Sequence, residues 1–90
     1  MIKKNENEIY KVFNYGEGIV DLAWDILDRV EEDSDDVYDA ISEAIDSGLI
    51  YYSQQWTLIE YYFSPLDENI SLNEAIGCFV EDLAKCVEEV

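Results

Sequence analysis

Between Glu17 and Asp46 the chain carries twelve carboxylates (Glu17, Asp21, Asp25, Asp28, Glu31, Glu32, Asp33, Asp35, Asp36, Asp39, Glu43, Asp46) against one base, Arg29. Like charges at helical spacing destabilise one another, and a compact body multiplies their repulsion. Such a run folds only where every acid stays in water while the residues between them find a core. Solubility alone asks for far less charge than this. The negative field is therefore expected to have a use.

The rest of the composition says the chain folds. Its 90 residues hold 22 acids and five bases, for a net charge of −17, yet 49% are hydrophobic. Disordered acidic tails are poor in aromatic residues, whereas here there are two Trp, seven Tyr and three Phe. The length suits one domain with its own core. One Pro and four Gly leave little turn material, which favours a few long helices over many short strands.

The start, Met1-Ile2-Lys3-Lys4-Asn5-Glu6, has no apolar run behind its lysines and does not read as a secretory signal. No stretch approaches the roughly 20 apolar residues of a membrane span, and anionic lipid would repel an anionic surface. Cys78 and Cys86 are eight apart, which in a helix separates them by roughly 12 Å along the axis, too far for a disulfide. They are expected to be reduced core thiols in a cytosolic protein.

Along the chain, Ile9, Tyr10, Val12 and Phe13 suggest a short helix ending before Gly16. From Gly18, apolar residues at Ile19, Leu22, Ala23, Ile26, Leu27 and Val30 recur at three and four, the signature of an amphipathic helix. Its opposite face holds Asp21, Asp25, Asp28 and Glu32, and it is expected to stop near Glu32. Asp33-Ser34-Asp35 offers capping oxygens for a second helix. That helix would bury Val37, Ala40, Ile41, Ala44 and Ile45, and Gly48 would close it in the left-handed conformation. Its outer side carries Asp35, Asp36, Asp39, Glu43 and Asp46.

From Leu49 to Phe63 the character changes. Tyr51, Tyr52, Trp56, Tyr61, Tyr62 and Phe63 are half of the chain's aromatic residues. This stretch reads as a largely buried helix capped by Ser53 and broken by Ser64-Pro65. So many large rings exceed what one face of a small bundle hides, so Tyr51, Tyr52, Trp56, Tyr61 and Tyr62 are candidates for a dimer contact, where Tyr and Trp are enriched. After a polar loop (Asp67, Glu68, Asn69), Ser71-Leu72-Asn73-Glu74 is a capping box. The last helix would bury Leu72, Ala75, Ile76, Phe79, Val80, Leu83 and Val87. The expected fold is all-α: one domain, a small bundle of four to five helices with acidic outer faces.

Chemistry is conspicuous by what is missing. The sequence has no His, the usual general base and metal ligand, and no Gly-rich phosphate loop or CxxC pair. Asp33, Asp35 and Asp39 match three positions of an EF-hand loop, but Tyr38 stands where the sharp turn needs Gly and Ala44 where calcium needs a bidentate Glu. Neither an enzyme nor a cofactor or metal site is expected.

The acids read best as a surrogate polyanion. Carboxylates four apart on a helix stand about 6 Å apart along its axis, close to the spacing of neighbouring phosphates. Duplex DNA carries one charge per roughly 1.7 Å of axis, so this net charge equals that of about 29 Å of duplex, comparable to the length expected of the bundle. The phosphate-like surface would comprise Asp21, Asp25, Asp28, Glu31, Glu32, Asp33, Asp35, Asp36, Asp39, Glu43 and Asp46. Such a protein enters basic DNA-binding clefts and does not itself bind nucleic acid. The alternative is an interaction adaptor that takes a partner on an aromatic or hydrophobic surface, with the acids serving solubility.

The run Asp35-Asp36-Val37-Tyr38-Asp39-Ala40-Ile41, with Ala44, Asp46 and the pair Tyr51-Tyr52, resembles a segment of the Ocr-type antirestriction proteins of bacteriophages. Those are small, acidic, all-helical DNA mimics with the same succession of an Asp-rich helix and a Tyr-Tyr pair. The resemblance covers about a quarter of the chain. It implies a homodimer whose acids follow the phosphates of bent duplex DNA, with Asp35, Asp36, Asp39 and Asp46 as phosphate surrogates. The implied partner is a bacterial DNA-binding defence protein, a restriction–modification enzyme first and a CRISPR nuclease next.

Repulsion among the acids also sets a pH response. Acidification removes negative charge that the compact state crowds together, so moving from pH 7 toward pH 5 should raise the melting temperature before acid unfolding begins. A melting temperature that falls steadily over that interval contradicts the reading.

Overall fold

The computed structural model describes residues 1–14, 16–63 and 71–90. Five helices carry the fold: α1 (Asn7–Val12), α2 (Glu17–Arg29), α3 (Val37–Gly48), α4 (Tyr52–Tyr62) and α5 (Leu72–Ala84). The molecule is an all-α bundle with one addition that the sequence pattern did not announce. Strands β1 (Ile2–Lys4) and β2 (Val87–Glu89) pair antiparallel, Lys3 opposite Glu88 and Lys4 opposite Val87. Val90 N–H donates to the Met1 carbonyl at 2.8 Å, and Ile2 N–H to the Glu32 carbonyl at 2.6 Å. The two ends of the chain are thus tied to each other and to the α2–α3 connection.

The amphipathic periodicity is realised as read. Ile19, Leu22, Ala23, Ile26, Leu27 and Val30 are all buried, as are Ala40, Ile41, Ala44 and Ile45. From α5, Ala75, Phe79 and Leu83 join them. Val37, Leu72, Ile76 and Val80, expected to be buried, are only partly covered. Val87 is buried, but from β2 and not from the helix. Phe13, at the end of α1, sits 5.8 Å from Phe79 and 6.0 Å from Tyr61 between ring centres, so the first short helix is pinned to α4 and α5.

The helix ends differ from expectation in instructive ways. α2 stops at Arg29, three residues before Glu32. A helix C-terminus is partially negative, so Arg29 suits its last turn and the following Glu31, Glu32 and Asp33 do not. The cap of α3 is Asp36, whose carboxylate accepts from Asp39 N–H at 3.1 Å; Ser34 instead bonds the backbone of Asp36. Ser53 lies inside α4, and the start of that helix is held by Gln54, whose side-chain oxygen accepts from Ile50 and Tyr51 N–H, both at 3.0 Å. Ser71 does cap α5, accepting from Glu74 N–H at 3.4 Å. Ser64, Pro65, Asp67, Glu68 and Asn69 lie outside the described residues.

Gly48 is not a left-handed terminus. Among the described residues only Asn14 has a positive φ, at 48°, a conformation Asn tolerates after a helix. Gly48 is needed for closeness: a Cβ there would stand 2.6 Å from Ile26 Cδ1 and 2.8 Å from Arg29 Cδ. The last turn of α3 crosses the last turn of α2 at that point. The cysteines also split. Cys86 is buried beyond the end of α5, whereas Cys78 is exposed and not a core thiol.

The glycines give a paired test of this packing. Gly77 lies exposed within α5, and a Cβ there would meet nothing within 4 Å, so Gly77→Ala should stabilise by about 0.5–1 kcal/mol through chain entropy alone. Gly48→Ala should destabilise by roughly 1–3 kcal/mol, the cost of overpacking. Urea unfolding of the two variants, shifting in opposite directions, is the expected result.

Candidate protein interface

Two helical stripes and one loop hold the acids. Asp21, Asp25 and Asp28 follow i, i+4, i+7 spacing along α2, and Asp39, Glu43 and Asp46 follow the same spacing along α3, so each trio shares a face. Glu31, Glu32, Asp33, Asp35 and Asp36 fill the connection. Ten of these eleven carboxylates are exposed, and Asp25 is half-buried. Among the described residues three ion pairs form, Lys11–Glu8, Arg29–Asp25 and Lys85–Asp82. Only the second involves the eleven, with Arg29 Nε 3.5 Å from Asp25 Oδ2. One acid, Asp36, has a structural duty as the cap of α3.

The bundle is longer than the charge comparison assumed. Its principal extents are 41 × 23 × 18 Å. Spread along 41 Å, the net charge of −17 amounts to one per about 2.4 Å, sparser than the roughly 1.7 Å of duplex DNA. Duplex-like density therefore does not hold for the molecule as a whole.

The aromatic helix is the largest correction. α4 is not largely buried: of its residues only Leu58 is fully enclosed. Tyr52 is 83% exposed, Tyr51 63% and Trp56 56%. Aromatic residues stand all around this helix, so no periodic stripe reported which side faced the core. The five candidate contact residues divide accordingly. Tyr51, Tyr52 and Trp56 face solvent and enter no ring pair among the described residues. Tyr61 and Tyr62 meet edge-to-face at 4.8 Å, Tyr61 reaches Phe13, and the Tyr62 hydroxyl donates to Asp82 Oδ2 at 2.7 Å.

Sequence reading missed a groove of about 480 Å³ between α2 and the start of α4. Asp21, Asp25 and Arg29 line one wall, Tyr51, Gln54 and Thr57 the other. Gly18 lets the walls approach, since a Cβ there would lie 3.3 Å from Thr57 Cγ2. Residues some 30 positions apart make this feature, and no local pattern signals it. No group of three or more acidic, Cys or His residues among the described residues is arranged to hold a metal ion, and no described helix is long and apolar enough to cross a membrane.

No family model, curated protein or solved structure matches this chain.

The buried edge of this surface has a pH signature. Burial and the neighbouring Asp82 carboxylate raise the Tyr62 phenol far above its ordinary value, the same two causes raise Tyr61, and burial lifts the Cys86 thiol to about 11 from 9.0. All three folded-state values are raised, so their contribution is fully present below the unfolded values and is lost as pH climbs past them. The melting temperature should hold to about pH 9 and then fall steeply. Tyr62→Phe, measured by thermal melts from pH 7 to 11, should be less stable at pH 7 and show a shallower alkaline loss.

Proposed function

We propose that the protein is a DNA mimic that occupies the DNA-binding cleft of a bacterial defence protein. The observation that carries the reading is the set of eleven carboxylates on α2, α3 and their connection, ten of them exposed and only Asp25 ion-paired. Two helical stripes joined by an acidic loop offer a basic cleft the counterion release it obtains from duplex phosphates. The same field excludes direct binding to nucleic acid. A restriction–modification enzyme is the first expected target and a CRISPR nuclease the second, both in the bacterial cytoplasm. The chain acts as an inhibitor by occupancy and needs no catalytic group.

A second reading has its own support. Tyr51, Tyr52 and Trp56 are large, exposed and close together in sequence, as suits an adaptor or a homodimer contact. Salt separates the classes. Contact through the rings should persist in about 0.5 M salt, where the Debye length is only a few Å, whereas the mimic should let go.

The decisive variant neutralises Asp28, Asp39, Glu43 and Asp46 together to Asn or Gln. All four are exposed, and both the Asp36 cap and the Asp25–Arg29 pair are left intact. The fold should be kept by circular dichroism, while inhibition of a target recovered from bacterial lysate falls by at least about tenfold, and competition with duplex DNA weakens in parallel. Each single neutralisation should do little, because the field is shared. Full inhibition by the fourfold variant, or partners that duplex DNA cannot displace, overturns the proposal.

A further inference from the structure

We propose that the groove between α2 and α4 is the docking site for an arginine-bearing segment of the protein partner. The inference rests on the reading that the chain acts by binding a basic protein, and it adds which face makes the anchoring contact and which side chain it receives. The carboxylates of Asp21 and Asp25 stand on one wall and the Tyr51 ring on the other. Tyr51 is the one aromatic ring of the lining, since Tyr52 and Trp56 are exposed on other sides of α4. Carboxylate beside aromatic face is the surrounding a guanidinium prefers: it stacks on the ring and bonds the carboxylate, and it is shed of water more easily than an ammonium.

The molecule itself supplies an occupant of that chemistry. Its only arginine lines the groove, with Nε 3.5 Å from Asp25, and its stem passes so close to Gly48 that a Cβ there would lie 2.8 Å from Arg29 Cδ. Asp21, on the same wall, enters no ion pair among the described residues. The groove therefore holds one guanidinium and has a carboxylate left for another. Other occupants fit less well. A second copy would bring a further −17 and the same two carboxylates, and a nucleic acid would meet only repulsion.

The probe is a synthetic twelve-residue helical peptide of Ala and Leu with two Arg one turn apart. Its control carries citrulline at both positions, which keeps the shape and removes the charge. Titration calorimetry at 150 mM salt should show the arginine peptide binding at least about tenfold tighter than the citrulline peptide, the discrimination of a desolvated charge pair. Tyr51→Ala, and separately Asp21→Asn, should each weaken it at least about threefold; both residues are exposed, so the fold is spared. Arg29→Met keeps the aliphatic stem and vacates the carboxylate, so it should tighten binding. Asp39→Asn, Glu43→Gln and Asp46→Asn together should change it by less than about twofold, since screening acts over about 8 Å.

Equal affinity for the citrulline peptide, weaker binding by Arg29→Met, or a loss in the α3 triple variant as large as in the ring variant overturns the proposal. So does light scattering that finds a dimer dissolved by Tyr51→Ala, which gives the groove to a second copy. The two readings fail separately. Peptide failure with intact inhibition removes the groove alone, and intact inhibition by the fourfold neutralised variant removes the DNA mimic alone.

Discussion

Keeping the carboxylates in water is the constraint on which the structure depends. A buried, unpaired carboxylate would cost several kcal/mol, and five bases cannot pair with 22 acids. The described core accordingly contains no buried polar or charged residue. Each of α2 and α3 answers by dividing its circumference, apolar inward and acidic outward, and the five acids of the connection between them are all exposed. The bundle is thin, 18 Å in its smallest extent, as helices must be when each shows one full face to solvent.

That division is why α2 and α3 were legible. Ile19 through Val30, and Ala40 through Ile45, repeat at the helical period because the alternative placement would drown an acid. The acids of the helices follow by subtraction: Asp21, Asp28, Asp39, Glu43 and Asp46 are exposed and Asp25 half-buried, whereas Glu32, Asp35 and Asp36, expected on helix faces, stand in the connection. The ends were harder to read, since they turn on single interactions. Asp33, Ser34, Asp35 and Asp36 are all residue types that cap helices, and the sequence alone does not distinguish Asp36, which accepts from Asp39 N–H. Gly48 carries two meanings in sequence, a left-handed terminus or a close approach, and the second depends on Ile26 and Arg29 across the interface.

α4 and the strands were illegible for another reason. Where aromatic residues fall on several sides of a helix, as Tyr52, Trp56, Tyr61 and Tyr62 do on α4, hydrophobicity no longer marks a side, and burial is decided by neighbours contributed from elsewhere. Leu58 is inside and Trp56 is outside because of where α2 and α5 lie. The groove between α2 and α4 is similarly non-local. The β1–β2 ribbon pairs residues more than eighty apart, each strand three residues long, below the length at which alternation can be seen.

The ribbon has a consequence for how the chain can be rearranged. With Met1 and Val90 hydrogen-bonded to each other, the backbone runs as a nearly closed ring. A peptide linker of a few residues would join the ends with little loss of chain entropy beyond what the fold already spends, giving a covalent circle. New ends could then be opened in the turn between α3 and α4, which carries none of the eleven acids, so a cargo could be fused there while the acidic face stays whole.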